Sequence, residues 1–222
     1  MYIFVTGLTF YWFRVMNKII ITAAAIALLA TTASAKTAGD AAYVKGSLGY
    51  GVGQKFNYKT DLVSPKKGKG LVGNVGAGMA FANGLRSDAE FYFDDGIDSK
   101  IKDKATGANN KFKVKTMGLF VNGYFDIKNS SAFTPYVMAG LGWAHNNTSY
   151  KSNGVNLIKN KKTNSLAYQA GVGVSYAVSK NVALDVGYRY IDKNIKIKET
   201  ATNKSHRVQG IHAGVVGVRF SF

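Results

Sequence analysis

Cysteine is absent from the 222 residues. That absence excludes a disulfide scaffold, thiolate metal centres and cysteine nucleophiles together. Proline is almost absent, at 2 residues, and the 25 glycines follow no three-residue period, so a collagen-like rod is excluded. Charged residues amount to 18% against 46% hydrophobic, too few for a disordered chain. The histidines are three, His145, His206 and His212, with no ligand spacing among them, so no metal is expected. No apolar run reaches the roughly 20 residues of a membrane-spanning helix. Acidic residues are scarce beside basic ones, 12 against 29, for a formal net charge of +17. A surplus of that size predicts an anionic partner or surface, and the position of the lysines decides which.

The longest apolar run, Ile19 to Ala30, follows Met16-Asn17-Lys18 and precedes Ala33-Ser34-Ala35. A short basic stretch, an apolar stretch and a small-x-small site form a secretory signal peptide. Residues 1–35 are therefore expected to be a signal peptide region, with Met16 as the true start and cleavage after Ala35. The mature chain, 36–222, loses only Arg14 and Lys18 from the charge count.

From Ala42 onward the dominant period is two. In Leu85 to Phe93, Leu85, Ala89, Phe91 and Phe93 share one face, and Arg86, Asp88, Glu90 and Tyr92 the other. A strand sorts residues this way and a helix scatters them. The sorting recurs at about 42–53, 71–82, 85–94, 114–126, 134–145, 166–178, 182–192 and 208–222. One face of nearly every segment is free of charge; the other mixes charges of both signs with glycine. A soluble barrel or sandwich has little reason to keep its outer face uncharged, whereas a lipid-facing surface must. Short connections near 83–84, 129–131 and 179–181 alternate with long polar ones at 54–69, 95–113, 146–165 and 193–207. The fold class that follows is all-β: an eight-stranded antiparallel transmembrane β-barrel of outer-membrane type, with four long extracellular loops and both termini periplasmic.

A barrel of eight strands is just wide enough for its own side chains. Lys45, Arg86, Arg189 and Arg219 are thus expected to meet Asp88, Glu90, Asp126 and Asp185 inside as a charge network. Barrel filling is one reading of it and an ion pathway another. The four long connections hold nearly all of the surplus charge, +14 by sequence. Lys66, Lys67 and Lys69, then Lys159, Lys161 and Lys162, then Lys193, Lys196 and Lys198 form clusters on them. They are candidates for binding a host-cell surface protein or polyanion, or the anionic outer leaflet. Nucleic acid is not an expected partner, since the loops lack interleaved stacking aromatics.

The phrases Ala77-Gly78-Met79-Ala80-Phe81, Asn122-Gly123-Tyr124-Phe125-Asp126, Thr134-Pro135-Tyr136-Val137-Met138 and Val186-Gly187-Tyr188-Arg189-Tyr190, with the final Phe222, resemble the small outer-membrane β-barrel family of proteobacteria. That family includes OmpA-like barrels and surface antigens. Lysine over arginine, the many asparagines and the lack of a second domain make the chain most like rickettsial candidate adhesins. The resemblance implies an outer-membrane surface protein attaching to host cells, with a structural envelope barrel or a narrow porin as alternatives. It also implies Phe220 and Phe222 as the signal for the barrel-assembly machinery. No cofactor is implied, and a monomer is expected. Gly68 to Gly73 matches a dinucleotide fingerprint in letters only, because a loop precedes it and a strand follows. A lipid-facing His-x-Ser pair, a hydrolytic device of some barrels this size, is missing: Ala213-Gly214 follows His212. The chain is not expected to be an enzyme.

Overall fold

A computed structural model of the chain describes residues 40–53, 63–65, 68–103, 109–152, 155–194, 196–198, 205–207 and 210–222. The signal peptide region, with its cleavage site after Ala35, lies outside the described residues. Eight strands form the body: β1 (Ala41–Gly53), β2 (Gly68–Ala80), β3 (Leu85–Asp103), β4 (Asn109–Asp126), β5 (Phe133–Ser152), β6 (Val155–Ala177), β7 (Val182–Asp192) and β8 (Ile211–Ser221). Each pairs antiparallel with its sequence neighbour, and β1 pairs with β8, so the sheet closes on itself. Closure removes the unpaired edges that a lipid environment would penalise.

The register follows the alternation in the sequence. Leu48, Leu71, Met117, Leu119, Val121, Leu141, Trp143, Val186 and Val216 are exposed on the outside. Asn74, Arg86, Asp88, Glu90, Asn122, Gln169 and Arg189 are buried inside. Polar residues in and apolar residues out is the reverse of a soluble barrel and matches a lipid solvent. The C-terminal strand ends with Phe220 and Phe222 exposed on the same apolar surface. The Phe222 N–H is tied to the Ala42 carbonyl at 2.9 Å.

One end carries the tight turns. At 81–85, Gly84 takes φ +88, a conformation that favours glycine, and the Asn83 Oδ1 accepts the Leu85 N–H at 3.0 Å. At 127–133, the Asn129 side chain bonds the Ser131 N–H and the Phe133 carbonyl, both at 2.8 Å.

At the opposite end the expectation of loops at 95–113 and 146–165 is corrected. β3 and β4 stay paired up to Lys102 and Asn109, and β5 and β6 up to Ser152 and Val155. β5 has 20 residues and β6 has 23, about twice the 9–11 that cross a bilayer. β7, β8, β1 and β2 stop near the rim, so four strands rise on one side as a projecting sheet. A short strand at Val63–Pro65 extends it, pairing with β3. The alternation marks only the lipid-crossing part, because a strand with water on both faces has no apolar side to reveal it.

Candidate functional site

The lower half of the interior holds the predicted charge network, and the structure brings its members together. Lys45 Nζ lies 2.7 Å from both Asp88 and Glu90. Arg189 Nη1 donates to both Glu90 oxygens at 2.9 Å. Arg86 grips Asp126 in a fork, Nε at 2.7 Å and Nη2 at 2.8 Å. Its guanidinium also lies 4.5 Å from the Tyr124 ring centre and 5.2 Å from that of Tyr136. Arg219 approaches Asp185 at 3.7 Å, and Ser175 bonds the same carboxylate. Asn122, directly opposite Asp88 on β4, and Gln169 of β6 link the acids, at 2.7 Å to Asp88 and 3.1 Å to Glu90. Four cations face four carboxylates, so the network is neutral as a whole. Buried charges are tolerated on that condition.

Above the network lies a layer that sequence reasoning missed. Val72, Tyr92, Phe120, Ala144, Ala167, Ile191, Ala213 and Val215 form one buried apolar cluster. Seven of the eight strands contribute to it. Tyr92 and Phe120 meet edge to face, with centroids 6.0 Å apart. β1 crosses this level with glycine: a Cβ on Gly49 would lie 2.7 Å from Val215 Cγ1. Beneath the layer the lumen keeps a cavity of only about 20 Å³, lined in part by Lys45, Asn74, Arg86 and Arg189, room for about one water. The interior is a plug of charge beneath a plug of hydrocarbon.

A third tier caps the apolar layer and corrects one expectation. Lys193 was expected to project from a loop as a binding lysine, yet it is buried. Its ammonium lies 2.5 Å from Asp94 Oδ2 and 2.6 Å from Thr116 Oγ1. Asp94 also accepts the Gly96 and Thr116 N–H groups, each at 3.1 Å, so its negative charge is fixed where the lysine enters. Burial pulls the Lys193 pKa below the ordinary lysine value, and Asp94 opposes that shift. Lys193 therefore closes the barrel and is not free for a partner.

The other lysines of the three clusters divide by what is described. Lys69 and Lys162 are exposed. Lys159 and Lys161 lie on the projecting part of β6. Lys196 and Lys198 lie on a short strand paired with Ser205–Arg207. Lys66 and Lys67 lie outside the described residues. The register adds a juxtaposition that linear clusters concealed: Lys100 of β3 is opposite Lys111 of β4, which is opposite Lys151 of β5. Three lysines thus share one rung of the projecting sheet, with neighbouring strands about 4.8 Å apart. Like charges directly opposite one another destabilise a sheet. No spacing along the chain signals it, because the three come from three strands.

The chain matches the family described as outer membrane protein beta-barrel domain over residues 21–220. It is similar to the outer membrane protein PagN of Salmonella typhimurium, 43% identical over 88 residues, 38% of this chain and 37% of that protein. The match spans little more than a third of that relative's length. A candidate adhesin of Rickettsia bellii is 24% identical over 194 residues, 79% of this chain and 83% of its own. Among solved structures, Neisserial surface protein A shares the fold with a TM-score of 0.53 at 24% identity, covering 83% of this chain and 99% of that one. OprG of Pseudomonas aeruginosa does so with 0.50 at 14%, covering 83% and 96%.

Proposed function

The chain belongs to the outer membrane protein beta-barrel domain family and hence to the outer membrane, and from that premise we propose that it is a monomeric surface adhesin. Its projecting sheet and long connections face outward and its termini face the periplasm. Its partner is an anionic group on a host-cell surface, a sulfated or carboxylated glycan or an acidic protein. The observation that carries this reading is the separation of charge. Interior cations are matched one for one by carboxylates, while the surplus lies at the long-loop end, with Lys100, Lys111 and Lys151 on one rung. An ammonium on a long stem attracts sulfate or carboxylate without demanding fixed geometry. Neighbours on the rung, about 4.8 Å apart, fall within the Debye length of about 8 Å at physiological salt, so their fields add at one anionic chain. Further lysines at Lys66, Lys67, Lys69, Lys159, Lys161, Lys162, Lys196 and Lys198 extend the contact by multivalency. The relative named as a candidate adhesin supports the reading.

The test is attachment of cells displaying the chain to host cells and to immobilised sulfated glycan. Lys100, Lys111 and Lys151 are changed to Gln in one variant and the flanking lysines in a second, with Lys193 left intact. Attachment falls in both variants and falls as salt rises. Unchanged attachment that is indifferent to salt overturns the charge mechanism. Labelling of the 152–155 connection in intact cells checks the orientation independently.

A further inference from the structure

The apolar belt is not uniform. On its outer surface near the tight turns, β3, β4 and β5 form a shallow, open groove lined in part by Leu85, Ser87, Gly123, Phe125, Val137 and Ala139. The register explains the groove. Ser87 is opposite Gly123 and Gly123 opposite Ala139, so three small residues lie abreast. The next row toward the turns is Leu85, Phe125 and Val137, whose bulk forms one wall, and Val121 and Leu141 stand on the other side. A Cβ added at Gly123 would meet nothing within 4 Å, so a larger side chain can be placed there without a clash.

A cation stands at the end of this groove. Lys128, exposed on the β4–β5 turn, directs its ammonium to the Ala82 carbonyl, beside Phe81, which lines the groove. Asp40 accepts the Ala82 N–H at 2.9 Å and so occupies the other side of that peptide. Gly123 and Lys128 are five residues apart, about 17 Å along an extended chain and less across a tilted barrel. A bilayer leaflet has about 15 Å of hydrocarbon. A cation at the interface and an apolar slot at that depth match an anionic amphiphile with a phosphate and an acyl chain.

We propose that this groove is a specific phospholipid site, the acyl chain lying over Gly123 between Leu85, Phe125 and Leu141, and the phosphate paired with Lys128. A lipid chain fits the groove better than a second copy of the protein, because the small residues form a single row, Ser87, Gly123 and Ala139, beside the bulky row Leu85, Phe125 and Val137. The site rests on the membrane reading above but not on what the long-loop end binds.

The test uses the refolded mature chain in detergent, with phosphatidylglycerol and the diacylglycerol of the same chains as probes, read by native mass spectrometry. Phosphatidylglycerol is retained by the unaltered protein. Gly123→Leu fills the slot and weakens retention of both probes by about tenfold, as expected for losing about two methylenes of contact. Lys128→Gln abolishes the preference for phosphatidylglycerol over diacylglycerol. Gly214→Leu, at an outward glycine of β8 that likewise has nothing within 4 Å, leaves retention unchanged. A photoactivatable phosphatidylglycerol marks β3 to β5 and needs no variant to fold. Equal retention by all variants, labelling spread around the whole belt, or a dimer lost on Gly123→Leu overturns the proposal. Binding to the isolated protein is independent of its orientation in cells and of its host partner, so failure here is distinguishable from failure of the adhesion reading.

Discussion

Removal of the Glu90 carboxylate tests how the interior is held together. Glu90 is fully buried and takes Arg189 at 2.9 Å, Lys45 at 2.7 Å and Gln169 at 3.1 Å. In Glu90→Ala, Lys45 keeps Asp88 at 2.7 Å. The carboxylate of the Arg189 ion pair is gone, so a guanidinium stays buried with its charge uncompensated. Breaking one side of such a pair costs about 3–5 kcal/mol. The double variant Glu90→Ala, Arg189→Met removes the orphaned charge as well. It is expected to lose less than the two single variants added together, by about 0.5–3 kcal/mol of coupling. The assay is urea unfolding in lipid vesicles, followed by fluorescence of Trp143. That side chain is 58% exposed on the outer surface and is the one tryptophan within 36–222, so it reports departure from lipid. A loss below about 1 kcal/mol in Glu90→Ala, or strict additivity in the double variant, refutes the claim that matched charges hold the lumen.

Leu141 and Gly142 test the register. Leu141 is 63% exposed on the belt, so Leu141→Phe should be neutral and Leu141→Arg should cost about 2–4 kcal/mol near the midplane. A Cβ at Gly142 would lie 2.6 Å from the Phe120 ring and also press on the Leu119 carbonyl, so Gly142→Ala should destabilise through crowding alone. Equal tolerance at the two positions, measured by the same unfolding curves, would sink the assignment of faces. In planar bilayers the protein should give no large steady channels, because the apolar layer crosses the lumen above the charge network. Reproducible porin-sized currents would show that the layer does not close it.

The barrel was legible in the sequence because lipid imposes a severe filter. Every outward residue from Leu85 to Phe93 is apolar or small, and every inward one is polar or aromatic. Above the rim that filter lifts, and the continuations of β3 to β6 read as polar loops although they are paired. The apolar layer did leave a trace: Tyr92 sits in phase between Glu90 and Asp94, and Phe120 lies two residues before Asn122, in the inward phase. Charge drew attention from it. Lys193 left no local sign at all. It stands three residues before Lys196 in a basic stretch, and its partner Asp94 is 99 residues away. Only closure of the barrel brings them together. The Lys100–Lys111–Lys151 rung was illegible for the same reason, since register between strands is a property of the fold.

The projecting sheet has a consequence for crowding. β7 first pairs with β6 at Tyr168 and Asp192, so Val155 to Ala167 has a neighbouring strand on one side only among the described pairings. An edge of that length is a template on which a second sheet could grow, and in a membrane packed with identical barrels the nearest candidate is another copy. Lys159, Lys161 and Lys162 occupy that edge, and a copy approaching edge to edge would bring the same three cations against them. Mutual repulsion of cations along such an edge would oppose the lateral fusion of neighbouring sheets into a fibre.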